Sequence, residues 1–419
     1  MIDTFLTILF FSLAAVNIAM LAGFLIPDKT RKTRFSPPLS VVIPAHNEEK
    51  YIAGTIKSVI KSKYANKLDV IVVDDGSTDS TSSIVGSLSR ENKNLRLLKI
   101  RHSGKSIALN YGIRKAKFNI VAYIDADSSL AENSLSKLVM PLENEDIVIS
   151  SGVIRARQTR NPLTWFQDIE YIVSSGWRYV CSKFNATYIA PGFAAFRKDA
   201  VLRAGGFSSD TLTEDIDTTI TLRKAGHGAV MSSAVMFTSV PSTLKGLVKQ
   251  RIRWGRGTIQ TAKKHTDIIF SQKFKAVGMY GFPIHMFWYV FAFLYMPFAF
   301  YWAASAYLNL PSAMPLDTLI FLLRWFTVYG IFDLLYNVIV GSYALTPLIF
   351  SILLSWAASF AYLLMSMKKL SAFNWKFLSY VLMFPYHWLM FTVQGFVFVY
   401  ETLIRSSGNI WNKVDGNSV

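Results

Sequence analysis

Three polar clusters in this sequence have residue types and spacing suited to chemistry: Ala45–Glu49, Asp74–Asp79 and Asp125–Asp127. In Asp125-Ala126-Asp127 two carboxylates stand one residue apart. Such a pair binds a divalent cation directly or through water, and Mg²⁺ and Mn²⁺ favour oxygen ligands that they share with substrate phosphates. A diphosphate leaving group needs its developing charge neutralised, which a metal does as a Lewis acid. One acidic cluster is ordinary turn chemistry, because Asp, Gly and Ser make turns and cap helices. Two of them in one sheet are harder to explain that way.

The elements that position these clusters are legible. Leu39-Ser-Val-Val-Ile breaks at Pro44, Asp69–Val73 runs into Asp74, Leu95–Ile100 is a third β-branched or apolar run, and Ile120–Ile124 ends at Asp125. Helical spacing fits Tyr51–Ser62 and Ser106–Ala116 between them. Strands alternating with helices predict an α/β domain with a mostly parallel sheet covered on both faces, whose ligands gather at the strands' carboxyl ends. No fixed-period repeat and no low-complexity segment interrupts it.

The composition divides the chain. Of 44 Lys+Arg and 27 Asp+Glu, 38 and 22 lie between Pro27 and Gly278, a net +16 of the chain's +17. Apolar residues make up 52%, which excludes a disordered chain. The single cysteine, Cys181, excludes an intramolecular disulfide and a Cys-rich zinc site.

Phe5–Ile26 carries no charge and is long enough to cross a bilayer. The basic cluster Lys29, Arg31, Lys32 and Arg34 follows it, so the positive-inside rule puts the N-terminus outside and the next block in the cytoplasm. Further apolar stretches are Val277–Leu310, Asp317–Ser342, Leu345–Met367 and Phe377–Tyr400. Counting each as a span gives five crossings and a cytoplasmic C-terminus. That count leaves Lys368 and Lys369 outside, which would be corrected if Asp317–Ser342 did not cross. On one straight helix Arg324 and Asp333 stand about 13.5 Å apart, too far to pair, so each is expected to bond a neighbouring helix or a head group, or to mark a polar path.

Taken in order, Asp74-Asp75-Gly76-Ser77-x-Asp79, Gly104-Lys105, Asp125-x-Asp127, Thr213-Glu214-Asp215 and Gln250-Arg251-Ile252-Arg253-Trp254 resemble the inverting family 2 glycosyltransferases of the membrane-embedded, polysaccharide-synthase type. Poly-N-acetylglucosamine, hyaluronan, chitin-oligosaccharide and cellulose synthases are similar. The resemblance covers about Leu39–Gly257 and implies a cytoplasmic GT-A-type, Rossmann-like domain flanked by transmembrane helices. The implied division is residues 1–27 as a transmembrane helix, 28–242 as the GT-A domain, 243–276 as interfacial helices, 277–404 as about four transmembrane helices and 405–419 as a tail.

The resemblance implies a UDP-sugar donor, with Ala45, Asn47 and Glu48 lining the nucleotide pocket and Asp75, beside Asp74, at the uracil. Lys105 would face the nucleotide or its phosphates. Asp125, Ala126 and Asp127 would meet the nucleotide, with Asp125 and Asp127 holding Mg²⁺ or Mn²⁺. Asp215 is the expected general base, supported by Glu214, since inversion needs one carboxylate to deprotonate the acceptor hydroxyl. The same residues suit a helix start with Thr213 as N-cap. Gln250 and Arg253 would face the donor, Arg253 forking onto diphosphate oxygens. Trp254 would stack on a sugar, although Arg and Trp also anchor interfacial helices. Gly192 would permit close backbone approach, Phe193 would touch the growing end, and Gly205-Gly206 would hinge the base loop. His46, His102, His227 and His265 show no metal-ligand spacing.

The expected function is transfer of a sugar, N-acetylglucosamine or another hexose, to a growing polysaccharide that passes through the membrane. The alternative is single transfer to a lipid acceptor such as a ceramide, diacylglycerol or polyprenyl phosphate. A membrane-anchored nucleic-acid binder would use the basic block, but no zinc-finger spacing or RNA-recognition signature accompanies it, and no nucleic-acid partner is expected. The expected location is the cell membrane, in contact with lipid.

Overall fold

The computed structural model describes residues 1–27, 35–310 and 315–404. The basic cluster at 29–34 and the tail at 405–419 lie outside the described residues. After helix α1 (Ile2–Leu25) the chain builds β1 (Leu39–Ala45), α2 (Ile52–Ile60), β2 (Leu68–Asp75), α3 (Thr81–Glu91), β3 (Leu95–Ile100), α4 (Lys105–Lys115) and β4 (Ile120–Ile124). β1 pairs in parallel with β2 and with β4, and β2 with β3. Side chains alternate across the sheet. Val41, Ile43, Val70 and Val72 meet Ile52 and Ile56 on one face, while Val42, Ile71 and Val73 meet Leu109 and Ile113 on the other. Burial on both faces explains why these strands read as unbroken apolar runs.

Beyond β4 the sheet is mixed rather than mostly parallel. The chain continues through β5 (Ser128–Leu130), α5 (Ser134–Val139), β6 (Ile147–Ala156), α6 (Pro162–Lys183), β7 (Phe193–Arg197), α7 (Lys198–Arg203), α8 (Glu214–Lys224) and β8 (Gly228–Thr238). The eight strands are ordered β3-β2-β1-β4-β7-β6-β8-β5. β7 runs antiparallel to both β4 and β6, β6 runs parallel to β8, and β5 runs antiparallel to β8. The cause is local. The segment after α6 enters β7 with Phe193 beside Ile124, at the carboxyl end of β4, so β7 can only run back.

The last third is helical: α9 (Leu244–Lys264), α10 (Phe282–Leu308), α11 (Pro315–Phe326), α12 (Tyr329–Ile339), α13 (Pro347–Lys369), a 3₁₀ segment Trp375–Leu382 and α14 (Phe384–Val399). Among the described residues three helices are long and apolar enough to cross a membrane: Ile2–Leu25, Val277–Leu308 and Pro347–Lys369. The Asp317–Ser342 stretch is not one straight helix, because α11 and α12 meet at 97°. The Phe377–Tyr400 stretch is likewise bent by 66°.

Contacts give the helix directions. Phe5 and Phe10 of α1 meet Phe298 and Phe291 of α10, whereas Met20 meets Tyr280, so these two run antiparallel. Phe11, Asn17 and Phe24 of α1 meet Phe350, Ser359 and Tyr362 of α13, so those two run parallel. The end of α10 and the start of α13 therefore lie at the same end of the bundle, and α11 and α12 leave and return there. The bend also corrects the expectation for Arg324 and Asp333. Folded back across the break, they pair directly, with Nε 3.0 Å from Oδ2.

Candidate active site

A cleft of about 290 Å³ opens at the carboxyl ends of β1, β2 and β4, lined by Ala45, His46, Glu48, Asp75, His102, Gly104, Lys105, Asp125, Ala126 and Asp127. It gathers seven of the sequence-chosen residues: Ala45, Glu48, Asp75, Lys105, Asp125, Ala126 and Asp127. Asn47 and Asp74 do not line it. Asn47 adopts φ +54° and its Oδ1 accepts from the Thr78 N–H at 2.8 Å, while Asp74 Oδ1 accepts from the Ser77 N–H at 2.9 Å. These two shape the loops that border the cleft. Asp75 is buried, and its carboxylate accepts from the Ser103 N–H at 2.7 Å and the Gly104 N–H at 2.9 Å.

Lys105 opens α4, and its Nζ lies 2.8 Å from Asp125 Oδ1 and 3.1 Å from Glu214 Oε1. Burial works against this cation, but the Asp125 and Glu214 carboxylates override it and keep the group protonated. Glu214 follows the same logic with the opposite sign. Burial would raise its pKa, yet Lys105, with Arg253 contributing, holds it below the usual carboxylate range. Asp215, the next residue, is pushed up to about 6 by burial first and the Glu214 charge second. Two adjacent carboxylates are thereby driven apart in acidity. The Asp215 side chain does not line the large cleft. It faces a small cavity with Tyr123, Ala190, Phe207 and Thr219.

Asp127 is held by Thr238 Oγ1 at 3.0 Å and Ser128 Oγ at 3.2 Å. Its pKa is raised by burial and then by the Asp125 charge. Glu48 is pushed up to about 7 by burial, then by the charges of Asp127, Asp125 and Asp79. This crowding of carboxylates is relieved by a divalent cation, so the donor set fits one. The space beside Asp125 fits too. Gly192 has φ +48°, and a Cβ there would come within 2.7 Å of Asp125 Oδ2. Tyr123 Oη donates to the Ala190 carbonyl and pins this segment to β4.

Phe193 corrects an expectation. Its ring is fully buried in the core against Gly152 and does not reach the cleft, because β7 starts there and turns that side chain inward. Thr213 occupies the N-cap position of α8 without a side-chain cap bond; its Oγ1 meets Thr261 Oγ1 at 3.2 Å instead. The Leu212 N–H donates to Gln260 Oε1 at 3.2 Å, so α9 props the start of α8. Next to Gly205-Gly206, Asn110 bonds both the N–H and the carbonyl of Phe207 at 2.8 Å.

α9 also carries Gln250, Arg253 and Trp254. Arg253 is exposed, and Trp254 is half-buried against the core cluster that holds Tyr171, its ring centroid 6.1 Å from that of Tyr171. The Arg251 guanidinium lies over Trp254, 4.4 Å from the ring centroid, and grips Glu170 with Nε–Oε1 3.2 Å and Nη2–Oε2 2.6 Å. Gln250 Oε1 accepts from Arg251. Gln250, expected to face the donor, thus bonds its neighbour within α9, and Glu170, which nothing in its sequence neighbourhood marks, has no place in the sequence reading.

Residues 40–204 match the family described as glycosyl transferase family 2. Over that stretch the chain is similar to this family. The "Probable glycosyltransferase YdaM" of Bacillus subtilis (strain 168) is 31% identical over 266 residues, which span 60% of this chain and 62% of that relative. The chain thus matches less than two thirds of the length of that relative. The poly-β-1,6-N-acetyl-D-glucosamine synthase of Staphylococcus aureus is 27% identical over 296 residues, 66% of this chain and 70% of the relative. A solved mannosyltransferase from Pyrobaculum calidifontis, in complex with GDP-Man and Mn²⁺, superposes with a TM-score of 0.58 at 24% identity, covering 87% of this chain and 99% of that one. The α/β block therefore shares the GT-A fold of that structure, with apolar helices on both sides of it.

Proposed function

We propose that this chain is an inverting glycosyltransferase that moves a sugar from a nucleoside-diphosphate donor, UDP-N-acetylglucosamine first, to a growing polysaccharide at a membrane. One observation carries the reading: Lys105 joins the strand-end carboxylate Asp125 to Glu214 at the start of α8. The pair read as metal-binding and the lysine read as diphosphate-facing are thereby tied to the residue that precedes the base candidate Asp215. The synthase relative supports N-acetylglucosamine, and the solved mannosyltransferase in complex with GDP-Man supports a nucleoside-diphosphate donor.

In this reading Asp125 and Asp127 hold Mg²⁺ or Mn²⁺, which supplies charge neutralisation at the diphosphate. Ala45, Glu48 and Asp75 bound the nucleotide, with Asn47 and Asp74 setting the loops around it. Lys105 meets the diphosphate, with Arg253 and Gln250 closing from α9. Asp215 takes the acceptor hydroxyl's proton; its elevated pKa makes it a better base than an ordinary aspartate. Glu214 stays ionised beside it. Trp254 offers its face to the acceptor sugar, and Gly192 leaves room at Asp125. Residues 28–242 act as the cytoplasmic catalytic block and 243–276 as its membrane-facing edge, where lipid touches the chain.

The helix directions support α1, α10 and α13 as crossings and α11–α12 as a hairpin that enters and leaves on the outer side. Lys368 and Lys369 then fall on the cytoplasmic side, as the positive-inside rule requires. The test is incubation of the purified chain with radiolabelled UDP-N-acetylglucosamine and Mn²⁺. A polymer identified by mass spectrometry supports the reading. A lipid-extractable, single-sugar product would replace it with the lipid-acceptor reading.

A further inference from the structure

β1, β2 and β3 are neighbouring parallel strands; Asp75 ends β2, and His46 and His102 stand just past the ends of β1 and β3. The sheet thus brings together two imidazoles and a carboxylate that lie far apart in sequence. His46 Nδ1 is 2.7 Å from the Asp75 carbonyl oxygen. His102 Nδ1 is 3.1 Å from that same oxygen and 3.0 Å from Asp75 Oδ2. The two rings stack with centroids 4.1 Å apart and planes 27° apart. The side-chain ligand atoms of the three residues lie within 4.8 Å of one another.

These separations are close to those of a metal centre. Around a tetrahedral Zn²⁺ with bonds of about 2.0–2.1 Å, neighbouring ligand atoms stand about 3.3 Å apart. His102 Nδ1 and Asp75 Oδ2, 3.0 Å apart, already stand near that spacing, and with all ligand atoms within 4.8 Å, side-chain rotation at His46 brings the third onto the ion. The donor types point to the same ion, since imidazole and carboxylate together suit Zn²⁺, whereas the all-oxygen pair Asp125–Asp127 suits Mg²⁺ or Mn²⁺. The carboxylate is also fixed in advance: Asp75 is buried and its oxygens accept from the Ser103 and Gly104 N–H groups. Outer bonds of this kind orient a ligand before metal arrives.

We propose that His46, His102 and Asp75 form a second cation site, taking Zn²⁺ or a similar borderline-soft divalent ion. It is distinct from Asp125–Asp127, and its occupancy excludes nucleotide from the cleft. All three residues line the cleft that contains Lys105 and Asp125, so an ion held between them narrows the space left for a base and ribose. Zn²⁺ binding is independent of the glycosyltransferase reading. The exclusion of nucleotide rests on it.

The experiment is calorimetric titration of the purified full chain with Zn²⁺ alone, alongside the visible spectrum of the Co²⁺-loaded protein. One equivalent and a tetrahedral Co²⁺ spectrum are expected. His46→Ala and His102→Ala should each weaken Zn²⁺ by at least about tenfold, the scale on which even indirect partners of a metal act. Asp127→Asn should leave Zn²⁺ affinity unchanged. UDP titrations with Mn²⁺ should show weaker UDP binding once Zn²⁺ is present, and no such weakening in the double histidine variant. Full Zn²⁺ affinity in a folded double variant, or no binding by the unaltered chain, overturns the site. Zn²⁺ binding that leaves UDP affinity untouched overturns the exclusion. A chain that binds Zn²⁺ but transfers no sugar overturns only the functional reading.

Discussion

Lys105 and Glu214 are paired at 3.1 Å, joining the first residue of α4 to the first residue of α8, two helices on different parts of the chain. The same ammonium also holds Asp125 at 2.8 Å. A single side chain therefore sets the distance between the strand that carries the Asp125–Asp127 pair and the helix that carries Asp215. It also favours ionisation of both carboxylates at the start of α8.

A pH profile follows. A base must be deprotonated to work, and Asp215 is pushed up to about 6, so kcat should rise with pH through about 6. In Lys105→Met the cation that favours both ionised carboxylates is gone, so the limb should move to higher pH. Lys105→Arg keeps the charge and should keep the limb near its place. An unmoved limb in Lys105→Met would remove Lys105 from control of the base.

Asp215→Asn should lower kcat by roughly 10²–10⁴-fold, the usual contribution of a positioned base, while UDP affinity in calorimetry stays unchanged. Glu214→Gln should lower both, because it also releases Lys105. Turnover close to normal in Asp215→Asn would transfer the base role elsewhere.

Gly192→Ala introduces a Cβ within 2.7 Å of Asp125 Oδ2 at φ +48°. The backbone strain alone costs about 1–3 kcal/mol, and Asp125 has to move. Mn²⁺-dependent UDP binding should fall more than thermal stability does. Unchanged Mn²⁺ dependence in a folded variant would mean that Asp125 is not held where the metal needs it.

Arg251 is buried, grips Glu170 and carries the Trp254 ring on its guanidinium face. Glu170 also accepts a hydrogen bond from Tyr386, at the start of α14. Arg251→Lys loses the two-pronged grip and the flat face together, so acceptor KM should rise while donor KM holds. A double-mutant cycle of Arg251→Met with Glu170→Gln should give a coupling of about 0.5–3 kcal/mol. Strict additivity would show that the two act separately.

The helix directions predict membrane sidedness. In a Cys181→Ser background, Asn309→Cys and Ser342→Cys should both react with an impermeant thiol reagent from the same side of the membrane, and Lys369→Cys from the other. Labelling of positions 309 and 342 from opposite sides would make α11–α12 a crossing.

The sequence by itself determined the parallel half of the sheet and the acidic strand ends, because strands buried on both faces must be continuous apolar runs and must stop where polar residues begin. It also marked the apolar stretches that form the three membrane-length helices, since length and charge decide that locally, but not the breaks in the other two stretches. Tertiary structure decided the rest. Phe193 went into the core because β7 pairs backwards on β4, a pairing between segments far apart in the chain. The 97° break brought Arg324 to Asp333, which no spacing on a straight helix allows. Glu170 gained its role only when α6, α9 and α14 met. His46 and His102 became neighbours because three strands lie side by side. Spacing along a chain carries local periodicity, whereas proximity between distant segments is fixed by packing.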